Sequence, residues 1–200
     1  GSDGVMGKNP YGAGWCLVTK TGQRPVAWSA GLLTTSACQE GALQAQYGLE
    51  GSTVNTGSAV QWLRDGLGII RDAGETEALA EAVADTGGVF FVPAFTGLGA
   101  PHWDAEARGT VTGLTRGTNR AHIVRATLEA IAYQVRAAVA AMALAPVPRG
   151  PVVRAYRRRS SHSFLIPLQA DQPGVPVALP ELPHIPPLGP ARFAVLGTAS

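Results

Sequence analysis

The run from Arg120 to about Ala143 constrains this chain more than any other. Val124, Leu128, Ile131, Val135, Val139 and Met142 follow one another at steps of four, three, four, four and three. At 3.6 residues per turn, that spacing lays one continuous apolar stripe along one face of a helix. Alanine fills much of the remainder, favouring helix and close packing. His122, near the first turn, reads as a surface or capping residue.

Upstream, Gly87 to Arg125 reads as strand, loop, strand and then this helix. Val89, Phe90, Phe91 and Val92 form a short apolar run, a buried strand stopped by Pro93. In the loop AFTGLGAPHWD, the small residues Gly97, Gly99 and Ala100 let the backbone pass close to something, and Pro101 with Trp103-Asp104 closes it as a rigid turn. A second strand is expected over Gly109 to Leu114. The arrangement reads as a loop laid over a site.

Earlier still, Gly57 to Gln61 opens a helix with Ser58 as N-cap and Val60, Leu63, Leu67 and Ile70 along one face. Trp62 and Leu63 are expected in the core. A further helix, about Glu75 to Ala84, turns Leu79 and Val83 inward and its acids outward. The segments PVAWS, GLLTTSAC and ALQAQYGLEG read as short strands separated by turns. Thr34, Thr35 and Ser36 are structural there, with no acid or base partner nearby in sequence. Lys8 to Lys20 is a glycine-containing turn followed by a strand. Its Tyr11-Gly12-Ala13-Gly14 is either a plain hairpin turn or a place where main-chain N–H groups converge on an anion.

After Met142 the text changes character. Eleven of the fifteen prolines fall beyond residue 145, which largely excludes regular helices there. A hydrophobic content of 46% supports a real core, and a net charge of +2 indicates neither nucleic acid nor an anionic membrane as partner. The basic run Arg154, Arg157, Arg158, Arg159 has no basic surface elsewhere to extend it. Cys16 and Cys38 are too few for a disulfide framework, and no His/Cys/Asp/Glu grouping has metal-site spacing. No apolar run approaches the ~18 residues of a membrane span, and Gly1 onward lacks a signal-peptide pattern. A soluble, cytoplasmic protein is the expectation.

The segment VPAFTGLGAPHWDAEARGTVTGLTRGT resembles the matching segment of the glycerol kinases, in the FGGY family of carbohydrate kinases. KNPYGAG at Lys8 to Gly14, GLLTTSAC at Gly31 to Cys38 and QWLRDGLGII at Gln61 to Ile70 agree in order and spacing. The resemblance implies one α/β lobe of the actin-like ATPase (ribonuclease H-like) type, a mixed sheet with packed helices, with residues 1–143 its better-matched part and 144–200 its degenerate, proline-rich remainder. It implies ATP-dependent phosphorylation of glycerol to glycerol 3-phosphate, with Mg2+ accompanying ATP. The alternatives are another FGGY sugar kinase and a non-catalytic remnant or interaction module. Homo-oligomerisation is left open.

Carried over residue by residue, Gly12, Ala13 and Gly14 stand where the family's YGTG meets the nucleotide phosphates, with Ala13 lacking the Thr hydroxyl. Gly57 and Gln61 match the helix start that touches the nucleotide. Cys16 occupies the place of a Phe that packs against glycerol. FLIPLQADQPGVPV at Phe164 to Val177 resembles the family's FLMQxQADxxGVPV. Counting back, Tyr156 to His162 fill the place of DGGAxxN, putting Arg158 beside the nucleotide and His162 at the adenine-side Asn. A one-base frame slip in a GC-rich message, turning glycine codons GGC into CGG, would account for the arginines. The family's catalytic Asp lies in a GDQQ-type motif upstream of the match. Here only GSDGVMG precedes Lys8, so no catalytic residue is assigned. Glycerol is then a partner only if a first lobe is supplied. Loss of a catalytic base costs roughly 10²–10⁴-fold. The isolated chain is therefore expected to release no glycerol-dependent ADP above a protein-free blank in a coupled assay.

Overall fold

The computed structural model describes residues 5–8, 14–27, 31–38, 45–145, 153–155, 164 and 177–178. Six strands form one mixed sheet: β1 (Val5–Lys8), β2 (Gly14–Gly22), β3 (Leu33–Cys38), β4 (Gln46–Val54), β7 (Val153–Ala155) and β8 (Val177–Ala178), in the order β3-β4-β2-β1-β7-β8. The first four pair antiparallel. β7 joins β1 in parallel, and β8 joins β7 in parallel. A separate hairpin consists of β5 (Phe90–Val92) and β6 (Thr110–Thr112). Three helices complete the described structure: α1 (Thr56–Asp65), α2 (Glu75–Glu81) and α3 (Arg120–Ala143). Among the described residues no helix is long and apolar enough to cross a membrane.

The two-residue strand period decides which sheet face is covered. On β2, Leu17 and Thr19 are buried, and on β4 Leu49, Gly51 and Thr53 are buried. The register sets Leu17 opposite Gly51 and Thr19 opposite Leu49, so these residues share a face. The carboxyl-terminal half of α3 lies on it, with Val135, Ala138, Val139 and Met142 packed against Leu17, Leu32 and Leu49. Gly51 makes this approach possible: a Cβ there would meet Leu32 at 3.2 Å and Ala138 and Met142 at 3.4 Å. The amino-terminal half of α3 covers the helices and the hairpin. Val124 packs with Leu63 and Ile70, Leu128 and Ile131 with Ala80, and Ala126 and Ala130 with Phe91.

α3 starts and stops where the apolar period predicts, and all six stripe residues are buried. The burial is wider than a stripe, since Ala121, Ala126, Ala130, Ala132, Ala138 and Ala141 are buried too, so the alanines are packing surface. Asn119 caps the helix. Its side chain accepts from the N–H groups of Ala121 and His122, and His122 Nδ1 accepts from the Asn119 N–H at 3.2 Å. His122 is thus a capping residue.

Other elements depart from expectation. β5 is not buried throughout: Phe90 and Val92 point to solvent, because a two-stranded hairpin has one covered face. α1 ends at Asp65 with Gly66 as C-cap, which leaves Leu67 beyond the helix and exposed. Ser58 is not the N-cap; Asn55 holds that position. α2 is only seven residues long and buries Thr76 and Ala80, with Leu79 and Val83 half-buried. Its Glu77 is not a free surface acid, because the carboxylate accepts from the Phe164 N–H at 2.7 Å. In PVAWS, residues 25–27 form no strand, and 28–30 lie outside the described residues.

Arg125 of α3 binds these parts together. Its Nη1 donates to the carbonyls of Ala80 and Val83, its Nε to Glu129, and its guanidinium lies 5.1 Å from the centre of the Phe164 ring. Leu128→Ala, at a fully enclosed site, should lower unfolding free energy by about 2–5 kcal/mol. Leu67→Ala should stay within about 0.5 kcal/mol. Urea titration of both variants checks this.

Candidate functional site

Strand register brings several separated segments to one end of the large sheet. Lys8, ending β1, lies opposite Cys16 near the start of β2, so residues 9–13 connect the two strands at this end. Gly14 lies opposite Val54, the last residue of β4, and α1 begins two residues later. Gly7 lies opposite Ala155, so the chain leaves β7 at the same end, immediately before Tyr156. The carboxyl ends of β1, β4 and β7 therefore coincide. In open α/β sheets, ligand crevices form outside such ends.

Gly14 begins β2 at this end. Gly57, half-buried, and Gln61, exposed, are four residues apart and share a face of α1, Gly57 in its first turn and Gln61 in its second. Cys16 is half-buried on β2, facing Lys8 across one register and Ser52 across the other. Gly12, Ala13, Arg158 and His162 lie outside the described residues, as do Tyr156 and most of the arginine run.

The start of α1 is uncapped by side chains. Asn55 stands at the N-cap position in a left-handed conformation (φ 64°, ψ 29°), and its side chain accepts from no backbone N–H of its own helix. No acidic residue lies in the first turn. The first amide N–H groups of a helix lack intrahelical partners, and with the helix dipole they favour an anion. The Asn55 side chain reaches elsewhere: Nδ2 donates to the Gly97 carbonyl at 3.2 Å, and Oδ1 accepts from the hydroxyls of Thr96 (3.3 Å) and Ser58 (3.4 Å). Sequence reasoning missed Asn55. The signal was present, since Asn is among the few residues other than Gly that tolerate positive φ, and it stands directly before a helix start.

The loop around Gly97 to Asp104 closes on the protein's own backbone. A Cβ on Gly99 would lie 2.3 Å from the Ser52 carbonyl oxygen, and the Ala100 N–H donates to that same oxygen at 2.8 Å. The Leu98 N–H donates to Asp104 O, and Trp103 Nε1 donates to Gly31 O at 2.6 Å. The close approach that the small residues permit is thus to β4. The Ala100–Pro101 peptide is cis.

An apolar groove of about 270 Å³ opens between this loop, β5 and α3, lined by Pro93, Leu98, Ala130 and Tyr133 among others. Gln134 Nε2 is buried at it without a hydrogen-bond partner among the described residues. Burial, and then the charge of Glu129, raises the Tyr133 pKa above the usual phenol value. Among the described residues no group of three or more His, Cys, Asp or Glu could hold a metal ion.

The profile of the FGGY family of carbohydrate kinases, C-terminal domain, matches residues 7–197. The chain belongs to this family, and its α/β architecture is that of an actin-like ATPase lobe. It is 49% identical over 191 residues to the glycerol kinase of Trichlorobacter lovleyi, covering 96% of this chain and 38% of the relative. Against the glycerol kinase of Polaromonas naphthalenivorans it is 51% identical over 197 residues, covering 96% and 39%. The crystal structure of Plasmodium falciparum glycerol kinase with ADP superposes with a TM-score of 0.83 at 31% identity, covering 94% of this chain and 37% of that one. A xylulose kinase from Lactobacillus acidophilus shares the fold, at TM-score 0.77 and 24% identity over 96% of this chain and 38% of that one. The chain thus spans under two fifths of the length of these relatives.

Gly99→Ala should be costly, because the methyl group meets backbone that cannot swing aside and displaces the bond from Ala100. A loss of about 1–3 kcal/mol is expected. Thermal unfolding of the variant beside the parent protein checks it.

Proposed function

We propose that this chain is the nucleotide-binding lobe of a glycerol kinase, an enzyme that transfers the γ-phosphoryl group of ATP to a hydroxyl of glycerol. The observation that carries this reading is the meeting, at one sheet end, of the β1–β2 connection, the uncapped start of α1 and the exit from β7. Phosphoryl transfer is mostly positioning and electrostatic stabilisation of the moving group, so main-chain N–H groups are suitable equipment. In this reading Gly12, Ala13 and Gly14 cradle the phosphates, with no hydroxyl from Ala13. Gly57 and Gln61 approach the nucleotide from α1. Arg158 and His162 stand on the base side, and Cys16 faces the substrate.

Mg2+ would travel with ATP on the phosphate oxygens, as this ion commonly does, keeping several waters of its own. The carboxylate that accepts the glycerol proton is contributed by a companion lobe. The lobe described here comprises a framework over 1–143 and a proline-rich remainder over 144–200, which lends β7 and β8 to the sheet. We assign the enzyme to the cytoplasm.

Two features weaken nucleotide binding. Ala13 forgoes a hydroxyl donor worth about 0.5–1.5 kcal/mol. Arg158 fills a place the family gives to glycine, on the base side where bulk excludes. Together these departures should remove about 3 kcal/mol, more than ~100-fold in affinity. Calorimetric titration of the chain should give ATP binding no tighter than millimolar. Ala13→Thr should tighten it about two- to tenfold. Tyr156→Asp with Arg157→Gly and Arg158→Gly should tighten it further. Micromolar binding by the unmodified chain, or no gain from the restored residues, would overturn the assignment at 156–158.

A further inference from the structure

We propose that Asn55 is a positioning residue that sets the first turn of α1 against Gly14 at the start of β2; the proposal rests on the nucleotide-lobe reading. The two helix-capping asparagines provide an internal comparison. Asn119 has the extended backbone usual for an N-cap (φ −124°, ψ 178°) and gives its side chain to Ala121 and His122 of its own helix. Asn55 occupies the same position on α1 but is left-handed, and its carboxamide takes no amide of the helix; it joins the Ser58 hydroxyl of α1 to Thr96 and Gly97 across the loop. The preferred capping residue is present, yet the helix start is left without that cap.

The contacts form a closed circuit. Gly14 is paired with Val54, and Asn55 follows Val54. The Asn55 side chain holds Thr96 and Gly97. Three residues on, Ala100 donates to the carbonyl of Ser52, and Ser52 is paired with Cys16 on the strand that Gly14 begins. The site residues Gly14 and Gly57 are thus fixed relative to each other by a ring of backbone pairing and loop contacts, with one side chain closing it. Asn55 is 4% exposed, so water does not compete effectively for its bonds. Asn55 itself touches no nucleotide. It acts through the amides of Thr56, Gly57 and Ser58 and through the placement of Gln61.

Asn55→Gly keeps the left-handed backbone at no steric cost while removing the carboxamide. Thr96→Val removes one bond from the opposite side and leaves Asn55 untouched. Backbone amide shifts, which read millimolar affinities, are followed during ATP titration of the full chain, alongside amide hydrogen exchange. Asn55→Gly should weaken ATP about tenfold and speed exchange at 56–59 and 96–98, with α3 protection unchanged. Thr96→Val should give a smaller shift in the same sense, and the double variant should lose less than the two effects combined. Unchanged ATP affinity in Asn55→Gly, with the parent protein binding measurably, overturns the proposal. If Asn55→Gly also lowers protection throughout α3, Thr96→Val decides by the same two readouts. If the parent protein binds no ATP, the nucleotide reading fails and the positioning role with it. The exchange pattern then shows separately whether Asn55 restrains the helix start.

Discussion

Everything in this lobe leans on the burial of α3. A helix half enclosed by a sheet needs only one apolar stripe, but this one is enclosed along its length by different partners in turn. Its first half touches α1, α2 and the β5–β6 hairpin, and its second half touches the large sheet. Small side chains are the condition for this. Alanine lets neighbours close in on the flanks, and Gly51 lets the helix settle against β4. The hydrophobic stabilisation is thereby coupled to geometry, since the helix that holds the sheet also fixes where α1 begins. Aromatic side chains extend the contact, with Trp62 stacked on Phe91 and both meeting Phe95.

How much of this was legible in the sequence follows from which forces are local. The period of α3, its limits and its capping histidine could be read because helix spacing and caps depend on neighbours three or four residues away. The strand at β5 was placed, but its two exposed residues were not foreseen, because solvent exposure depends on which sheet the strand joins. The same reason hid the use of Glu77, whose partner Phe164 lies far along the chain. At the candidate site, Gly14, Gly57 and Gln61 stand out in the text as separate segments. The sheet end that their elements share could not be read there, since it depends on the register that sets Gly14 against Val54 and Gly7 against Ala155. Asn55 escaped because the text offers Ser58 as the cap and a later helix start, and because the partners of Asn55, Thr96 and Gly97, lie some forty residues along the chain.

The loop after Phe95 illustrates how one sequence signal admits two physical meanings. Clustered small residues announce close backbone approach without naming the neighbour. Here the neighbour is β4, reached through Gly99 and Ala100, with Trp103 tied back to Gly31. A loop held this firmly is suited to carrying constraint from the sheet to the helix start. The groove beside it, with Gln134 unpaired, is the one polar loose end recorded among the described residues.

The pairing of β1 with β7 has a consequence for how the lobe assembles. The antiparallel strands from β1 to β4 are close neighbours in sequence and can come together as soon as their turns close. β1 and β7 meet through Met6 and Arg154, so this parallel join closes the long intervening segment and carries a large loop-closure entropy. Until the later segment arrives, β1 is an open edge, with unpaired N–H and C=O groups offered to any strand at hand. During synthesis this edge therefore stays exposed until residues 153–155 have been made. β7 then closes it.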